Sequence, residues 1–72
     1  MFQWVSVQSE RIVSAAYDPE QQVILVEFPN GVRWWYGGCT PETWQEFMDP
    51  LTSKGRFIKD ILDGHQNGRY DG

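Results

Sequence analysis

The feature that most constrains the fold is a strand-like segment with three consecutive aromatic residues, Trp34-Trp35-Tyr36. It follows an Asn-Gly pair at 30–31, a dipeptide that tolerates the positive φ angles of a tight hairpin turn. On a β-strand, successive side chains point to opposite faces of the sheet. Trp34 and Tyr36 therefore share one face with Val32, and Trp35 lies on the other. We expect one face to fill the core and the other to contact something else.

Two earlier segments are also typical of strands. Residues 23–28 are almost wholly β-branched, Leu or Phe, and a turn with Asp18-Pro19 separates them from an extended stretch at residues 11–17. A looser alternation of apolar residues predicts a short edge strand within residues 2–7. Short strands joined by tight turns form an antiparallel meander.

The hydrophobic period becomes helical after residue 39. Thr40-Pro41-Glu42 combines an N-cap, a first-turn proline and an acid that the helix dipole favours. Asp49-Pro50 ends this helix, because proline disfavours helical geometry in the residue before it. The two ends enclose an apolar face made of Trp44, Phe47 and Met48.

A second helix is predicted from Thr52 or Ser53 to Asp63, with Gly64 as the residue that ends it. Its apolar positions are Phe57, Ile58, Ile61 and Leu62. We therefore predict an α+β fold, in which two C-terminal helices pack on one face of a three- to four-stranded antiparallel β-meander. Residues 1–64 form this single domain, and residues 65–72, rich in glycine and without an apolar period, form a flexible tail.

Composition narrows the classes of function. The 72 residues are enough for one domain, and the formal net charge of −4 counts against non-specific binding to duplex nucleic acid. With one cysteine and one histidine, the chain has no internal disulfide and no Cys/His zinc site, so we expect no metal and no cofactor. No apolar run reaches transmembrane length, and the N-terminus lacks signal-peptide features. We expect a cytoplasmic protein without membrane contact.

The chain resembles the KTSC domain family in the order and spacing of short motifs over about residues 5–63. The motifs are Ser9-Glu10-Arg11-Ile12, Tyr17-Asp18, Ile24-Leu25-Val26-Glu27-Phe28, Gly31, Trp34-Trp35-Tyr36, Pro41, Trp44, Phe47, Ser53-Lys54-Gly55-Arg56-Phe57 and Ile61. Members occur at the C-terminus of some lysyl-tRNA synthetases and alone in bacteria and phages. The resemblance implies the fold predicted above, a bacterial or phage origin and, from the synthetase context, RNA binding.

Three departures from the family pattern stand out. Trp34-Trp35-Tyr36 replaces the central Tyr-x-Tyr, and Ala16 replaces the glycine before the Tyr-Asp pair. The link before Ser53 carries Pro50 and is about one residue longer than usual, which affects how the helices meet.

The face that carries Trp35 is the first candidate site. Val23, Leu25, Arg33 and Trp35 form a partner interface on it, since apolar patches, Trp and Arg mark binding surfaces. The leading hypothesis is a non-catalytic binding module that self-associates into a homo-oligomer or docks a protein partner there. Two alternatives stay open. An exposed ring could stack on a base, or Trp4 or Tyr70 could cover the face from within the chain.

The start of the second helix is another candidate. Ser53, Lys54, Arg56 and Lys59 could contact the phosphate of RNA or of a small nucleotide, because helix N-termini and cations attract anions. This is the alternative function to protein docking. The simpler interpretation is that Ser53 or Thr52 only caps the helix.

Cys39 stands just before a helix start, where a thiol pKa can fall, and could be a nucleophile. We see no base for it, because His65 lies beyond the last helix in the glycine-rich tail. We expect Cys39 to be a small buried apolar residue, and the protein not to be an enzyme.

Overall fold

The structure, a computed structural model, describes residues 3–71 and is built on a five-stranded antiparallel sheet. The strands are β1 (Val5–Ser6), β2 (Ser14–Asp18), β3 (Val23–Glu27), β4 (Arg33–Tyr36) and β5 (Asn67–Arg69), and they lie in the sheet in chain order. Every pairing is antiparallel. The predicted meander is confirmed, although the part of the first predicted strand at residue 2 lies outside the described residues.

The fifth strand is the main correction to the predicted fold. Residues 65–72 are expected as a flexible tail after a domain that ends at residue 64. The structure instead pairs Asn67–Arg69 with β4, so the sheet has five strands rather than three or four. The ordered sheet therefore continues beyond the predicted boundary. Asn, Gly and Arg have no strand-like pattern, so this strand forms because β4 offers it an open edge.

The first helix, α1 (Pro41–Met48), has the predicted ends. Thr40 caps it by accepting a hydrogen bond from the backbone N–H of Thr43 at 3.3 Å. The next helix, α2 (Lys54–Asp60), is shorter than predicted because Ile61 leaves helical geometry, with φ −121° and ψ −57°. A 3₁₀ turn at Leu62–Gly64 follows.

That early end rearranges the apolar face of α2. Ile58 and Leu62 are inaccessible to solvent or nearly so, whereas Ile61, predicted to be buried, is 42% exposed. The 3₁₀ turn directs Leu62 into the core, and Ile61 points outwards.

The core lies between the helices and one face of the sheet. Its buried members come from the sheet, the helices and the connecting segments: Ile12, Ala15, Ile24, Val26, Tyr36, Cys39, Phe47, Phe57, Ile58 and Leu62. Burying side chains of this size stabilises a fold by about 1.5–3 kcal/mol each, which explains how a short chain can hold a single core.

Strand register fixes the direction of the three consecutive aromatic side chains. Tyr36 pairs with Ile24 and Trp34 with Val26, both core positions. Trp35 pairs with Leu25 on one side and with Gly68 on the other. Directly paired residues share a face, so the prediction that Trp35 points away from its two neighbours is confirmed.

Candidate functional site

The face of the sheet opposite the helices, here called the Trp35 face, is covered by side chains alone. Alternation along the strands and pairing across them place the following residues on it: Trp4, Ala16, Asp18, Val23, Leu25, Glu27, Arg33, Trp35, Gly68 and Tyr70. Ala16 is fully buried and Leu25 is only 2% exposed, although no helix packs on them. The larger side chains of the face therefore exclude water from its centre.

Trp35 lies over two glycines of its own chain. A methyl group placed on Gly68 would lie 3.0 Å from Trp35 Nε1, and one on Gly37 would lie 3.4 Å from Trp35 Cζ3. A side chain at Gly68 would therefore fit only if the indole moved. Glycine in β5 thus allows the indole to rest against the sheet.

The two adjacent indoles differ in hydrogen bonding. Trp34 Nε1 donates to Asn67 Oδ1 at 3.0 Å. Within residues 3–71, the Trp35 indole N–H has no acceptor, and the side chain is only partly buried. Trp35 is therefore an aromatic ring with an N–H available to a partner, which is the amphipathic character that favours Trp at interfaces.

Arg33 is held at one end of the Trp35 face by two groups. Its Nε donates to Glu27 Oε1 at 2.9 Å, and its guanidinium carbon lies 4.6 Å from the centre of the Trp4 ring. Ion pairing and a cation–π contact therefore act on the same side chain. Trp4 covers this end from within the chain, as one of the alternative interpretations expected.

The rest of the face contains a groove of about 320 Å³, lined by Asp18, Gln21, Val23, Leu25, Trp35 and Tyr70. Three of the four predicted interface residues, Val23, Leu25 and Trp35, line it together, whereas Arg33 lies outside. We call this cavity the Trp35 groove. Asp18 is fixed at its border, because Asp18 Oδ1 accepts the backbone N–H groups of Glu20 at 3.0 Å and Gln21 at 3.3 Å.

Three of these lining residues were not predicted as site residues. Asp18 could have been placed from the sequence, because it lies two positions after Ala16 and so on the same face of β2. Gln21 belongs to the turn beyond that strand, and no pattern indicates its direction. Tyr70 was considered as a cover for the face, and it is placed here by β5, whose pairing extends through the Tyr70 N–H to the Arg33 carbonyl at 3.0 Å.

Lys54, one of the four residues predicted to contact an anion at the start of α2, is turned into the link between the helices. This side chain is only 8% exposed, and its Nζ donates to the carbonyls of Asp49 at 3.1 Å and Thr52 at 3.3 Å. The ammonium group thus satisfies backbone acceptors in the link between the helices. Ser53 caps α2 by accepting the Arg56 N–H at 3.4 Å.

Arg56 and Lys59 remain exposed. Of the four predicted contacts, two are thus engaged in holding the helix start. The sequence could not show the position of Lys54, because the acceptors of its ammonium group are main-chain carbonyls.

The structure brings Cys39 and His65 together, which the sequence analysis did not anticipate. Cys39 Sγ lies 3.9 Å from His65 Nδ1. The same nitrogen lies 2.7 Å from the Gly37 carbonyl oxygen, which can only accept, so Nδ1 carries its proton and donates it there. Burial raises the pKa of the Cys39 thiol, and the side chain is 0% exposed. The thiol is thus inaccessible to solvent, and the imidazole nitrogen nearest to it is placed as a donor rather than as a base.

Within residues 3–71, no group of three or more His, Cys, Asp or Glu side chains is arranged to hold a metal ion. Over the same residues, no helix has the length and apolarity needed to cross a bilayer.

Comparison with known proteins gives one consistent result. The sequence profile of the KTSC domain matches residues 8–65. An uncharacterized protein of Stutzerimonas stutzeri is 37% identical over 66 residues, which cover 92% of this chain and 90% of that protein. A protein of Tsukamurella paurometabola is 32% identical over 56 residues, 78% of this chain and 82% of that protein.

The solved structures include a similar fold. The crystal structure of a KTSC domain protein from Yersinia pestis superimposes with a TM-score of 0.85 at 30% sequence identity. The match covers 97% of this chain and 99% of that one, so the likeness extends over the whole architecture, including the sheet that bears Trp35.

Proposed function

The chain belongs to the KTSC domain family, and from this premise we propose that it is a non-catalytic binding module that receives a partner protein on its Trp35 face. The observation that carries the proposal is the Trp35 groove. Its volume of about 320 Å³ matches the lower end of the size range of ligand sites, and aromatic, aliphatic and polar groups converge in it.

A protein segment suits this groove better than a nucleic acid. Val23, Leu25 and the ring of Trp35 offer apolar contacts, and the Trp35 N–H can donate to a backbone carbonyl of the partner. The charged residue in the groove is Asp18, which would repel phosphate. The RNA or nucleotide alternative also loses Lys54, because that ammonium group is engaged with backbone carbonyls.

We assign the groove to a different protein rather than to a second copy of this chain. A second copy would present the same face, and the cation on that face, Arg33, is already held by Glu27 and Trp4. Light scattering after size exclusion should therefore give the monomer mass of 8.4 kDa at micromolar concentration. A dimer that dissociates on Trp35→Ala substitution would instead assign this face to self-association.

Site-specific photocrosslinking in a bacterial cytoplasm tests the docking proposal. A benzophenone side chain is placed at Gln21, which lines the groove, and in a matched control at Gln45, which is exposed on α1. We expect a defined protein adduct from position 21 that is absent from position 45. The adduct should disappear with Trp35→Ala in a variant whose circular dichroism shows a folded chain.

The partner is then purified and its rebinding is measured with isolated components. Equal adduct patterns at the two positions, or an adduct that survives Trp35→Ala, would contradict docking through this face.

A further inference from the structure

The Trp35 face already shows how it binds a cation. Arg33 lies between an indole and a carboxylate, with its guanidinium carbon 4.6 Å from the Trp4 ring centre and its Nε 2.9 Å from Glu27 Oε1. The indole supplies its electron-rich face, and the carboxylate supplies the countercharge. This cluster occupies the end of the face where β3 and β4 pair Glu27 with Arg33.

The Trp35 groove has the same two types of group, and no Lys or Arg among residues 3–71 lines it. Trp35 provides an indole, and Asp18 provides a carboxylate. Asp18 lies on β2 and Trp35 on β4, with β3 between them. Asp18 pairs with Val23 and Trp35 with Leu25, so the two backbones are offset along the sheet as well as across it and lie roughly 12 Å apart. Both side chains line one groove, and a long side chain lying over Val23 and Leu25 can reach ring and carboxylate together.

We propose that the Trp35 groove binds a lysine or arginine side chain of the partner protein, with the aliphatic stem over Val23 and Leu25 and the cationic group between the Trp35 ring and Asp18. This inference rests on the proposed function and names the chemistry of the partner. Long basic side chains bury their stems on apolar surface while the charged group contacts polar atoms. The net charge of −4 favours the approach of a basic segment.

The hydrogen bonds of Asp18 preorganise its carboxylate as an acceptor. Within residues 3–71, its carboxylate accepts two hydrogen bonds, and both end at Oδ1. The donors are the backbone N–H groups of Glu20 and Gln21. They fix the orientation of the carboxylate before any partner arrives. Fixing the acceptor in advance reduces the entropy cost of binding.

Nuclear magnetic resonance titration of the full chain tests the inference. The probes are capped tripeptides with arginine, lysine, norleucine or glutamate between two glycines. We expect the arginine and lysine peptides to shift the Trp35 indole N–H and the Val23 and Leu25 signals saturably at millimolar concentration. The norleucine and glutamate peptides should bind about tenfold more weakly or not at all, because they lack the cation.

Two variants that each remove one negative charge separate local contact from overall charge. Asp18→Asn keeps an oxygen acceptor for the turn and removes the countercharge in the groove, so it should weaken the arginine peptide about tenfold. Glu20→Gln changes the net charge equally, but Glu20 does not line the groove and the affinity should stay within about twofold.

The outcomes distinguish this inference from the proposed function. Equal affinity for norleucine and arginine peptides, or equal effects of the two variants, would contradict the inference that the groove binds a basic side chain. Either result would leave the proposal of docking at the groove intact. The absence of any shift at Trp35 would overturn the inference, and crosslinking at Gln21 would then decide separately whether a protein docks there. Selective binding of the cationic peptides that Asp18→Asn weakens would support it.

Discussion

The two faces of the sheet exclude water by different means. On one face Ile24 and Val26 are 0% exposed because helices α1 and α2 pack over them. On the Trp35 face Ala16 is 0% and Leu25 only 2% exposed, but the cover consists of individual side chains, Trp35 among them. The helical cover consists of secondary structure, whereas the cover of the Trp35 face consists of side chains that the sheet itself carries.

This difference indicates which face of the sheet contributes most of the stability. A small domain gains its few kcal/mol of net stability from a single core, here the helix-covered face. On the Trp35 face, single side chains cover the sheet, and a groove lies between them. The following four predictions compare how much stability substitutions on the two faces remove, from the largest expected effect to the smallest.

Phe47→Ala should remove about 3–5 kcal/mol of unfolding free energy, because Phe47 is fully buried and its ring packs 5.4 Å from that of Phe57. That loss is comparable to the whole stability of a small domain, so the variant should be largely unfolded. Urea denaturation followed by circular dichroism measures the effect, with Gln45→Ala on the exposed side of the same helix as control. A loss below about 1 kcal/mol would contradict the assignment of the main core to this face.

Stability should fall at alkaline pH through Tyr36. Burial raises the pKa of Tyr36 to about 12 from 10.0. The phenol loses its proton more readily in the unfolded state, so the contribution is fully present below pH 10 and declines as the pH rises towards 12. By pH 12 the wild type should lose about 2 kcal/mol more than Tyr36→Phe.

Urea titrations of both proteins at pH 8 to 12 measure this difference. The two curves should be parallel below pH 9, which serves as the internal control. Parallel curves up to pH 12 would show that the Tyr36 hydroxyl is not shielded by the core.

Gly68→Ala should destabilise the Trp35 face by about 1–3 kcal/mol, because the added methyl group would lie 3.0 Å from Trp35 Nε1 and the indole must move. The matched control is Gly64→Ala, since a methyl group there meets no atom within 4 Å. Chemical denaturation gives the free energies, and the indole N–H resonance of Trp35 reports displacement. Equal behaviour of the two variants would mean that the indole does not rest on β5.

The smallest effect is the coupling between Trp4 and Arg33. A double-mutant cycle with Trp4→Ala and Arg33→Ala should give an interaction free energy of about 0.5–1 kcal/mol, typical of a partly exposed cation–π contact. The control is a second cycle of Trp4 with Arg69, an exposed residue of β5 that forms an ion pair with Asp71. Its interaction free energy should be near zero. Coupling of the same size in both cycles would point to a general charge effect.

How much of the fold could be predicted depends on how local its signals are. Helix α1 was predicted at both ends because Thr40, Pro41 and Pro50 act within one turn of where they stand. Strand β5 was missed because Asn67 and Gly68 are poor strand formers on their own. Their contacts with β4 explain why they form a strand here. Asn67 accepts a hydrogen bond from the Trp34 indole, and Gly68 leaves space for the Trp35 ring.

The candidate site shows the same limit. Alternation alone placed Val23, Leu25 and Trp35 on a common face, and the register agrees. The inward turn of Lys54 was not predictable, because its acceptors are carbonyls of Asp49 and Thr52 that become available only when the link between the helices has formed. The sequence shows on which face of the sheet a strand residue lies. Which polar groups contact one another depends on the conformation of the loops, and local sequence patterns do not show it.

The position of β5 links the attachment of that strand to occupancy of the groove. Among the strands, β5 pairs with β4 alone, so its release would leave the other four strands joined. Release would also remove Tyr70 from the groove and the glycine support beneath Trp35. If a partner docks in the groove as proposed and contacts Tyr70 there, its binding would by mass action stabilise the form in which β5 is paired. Attachment of the last strand and occupancy of the groove would then be thermodynamically coupled.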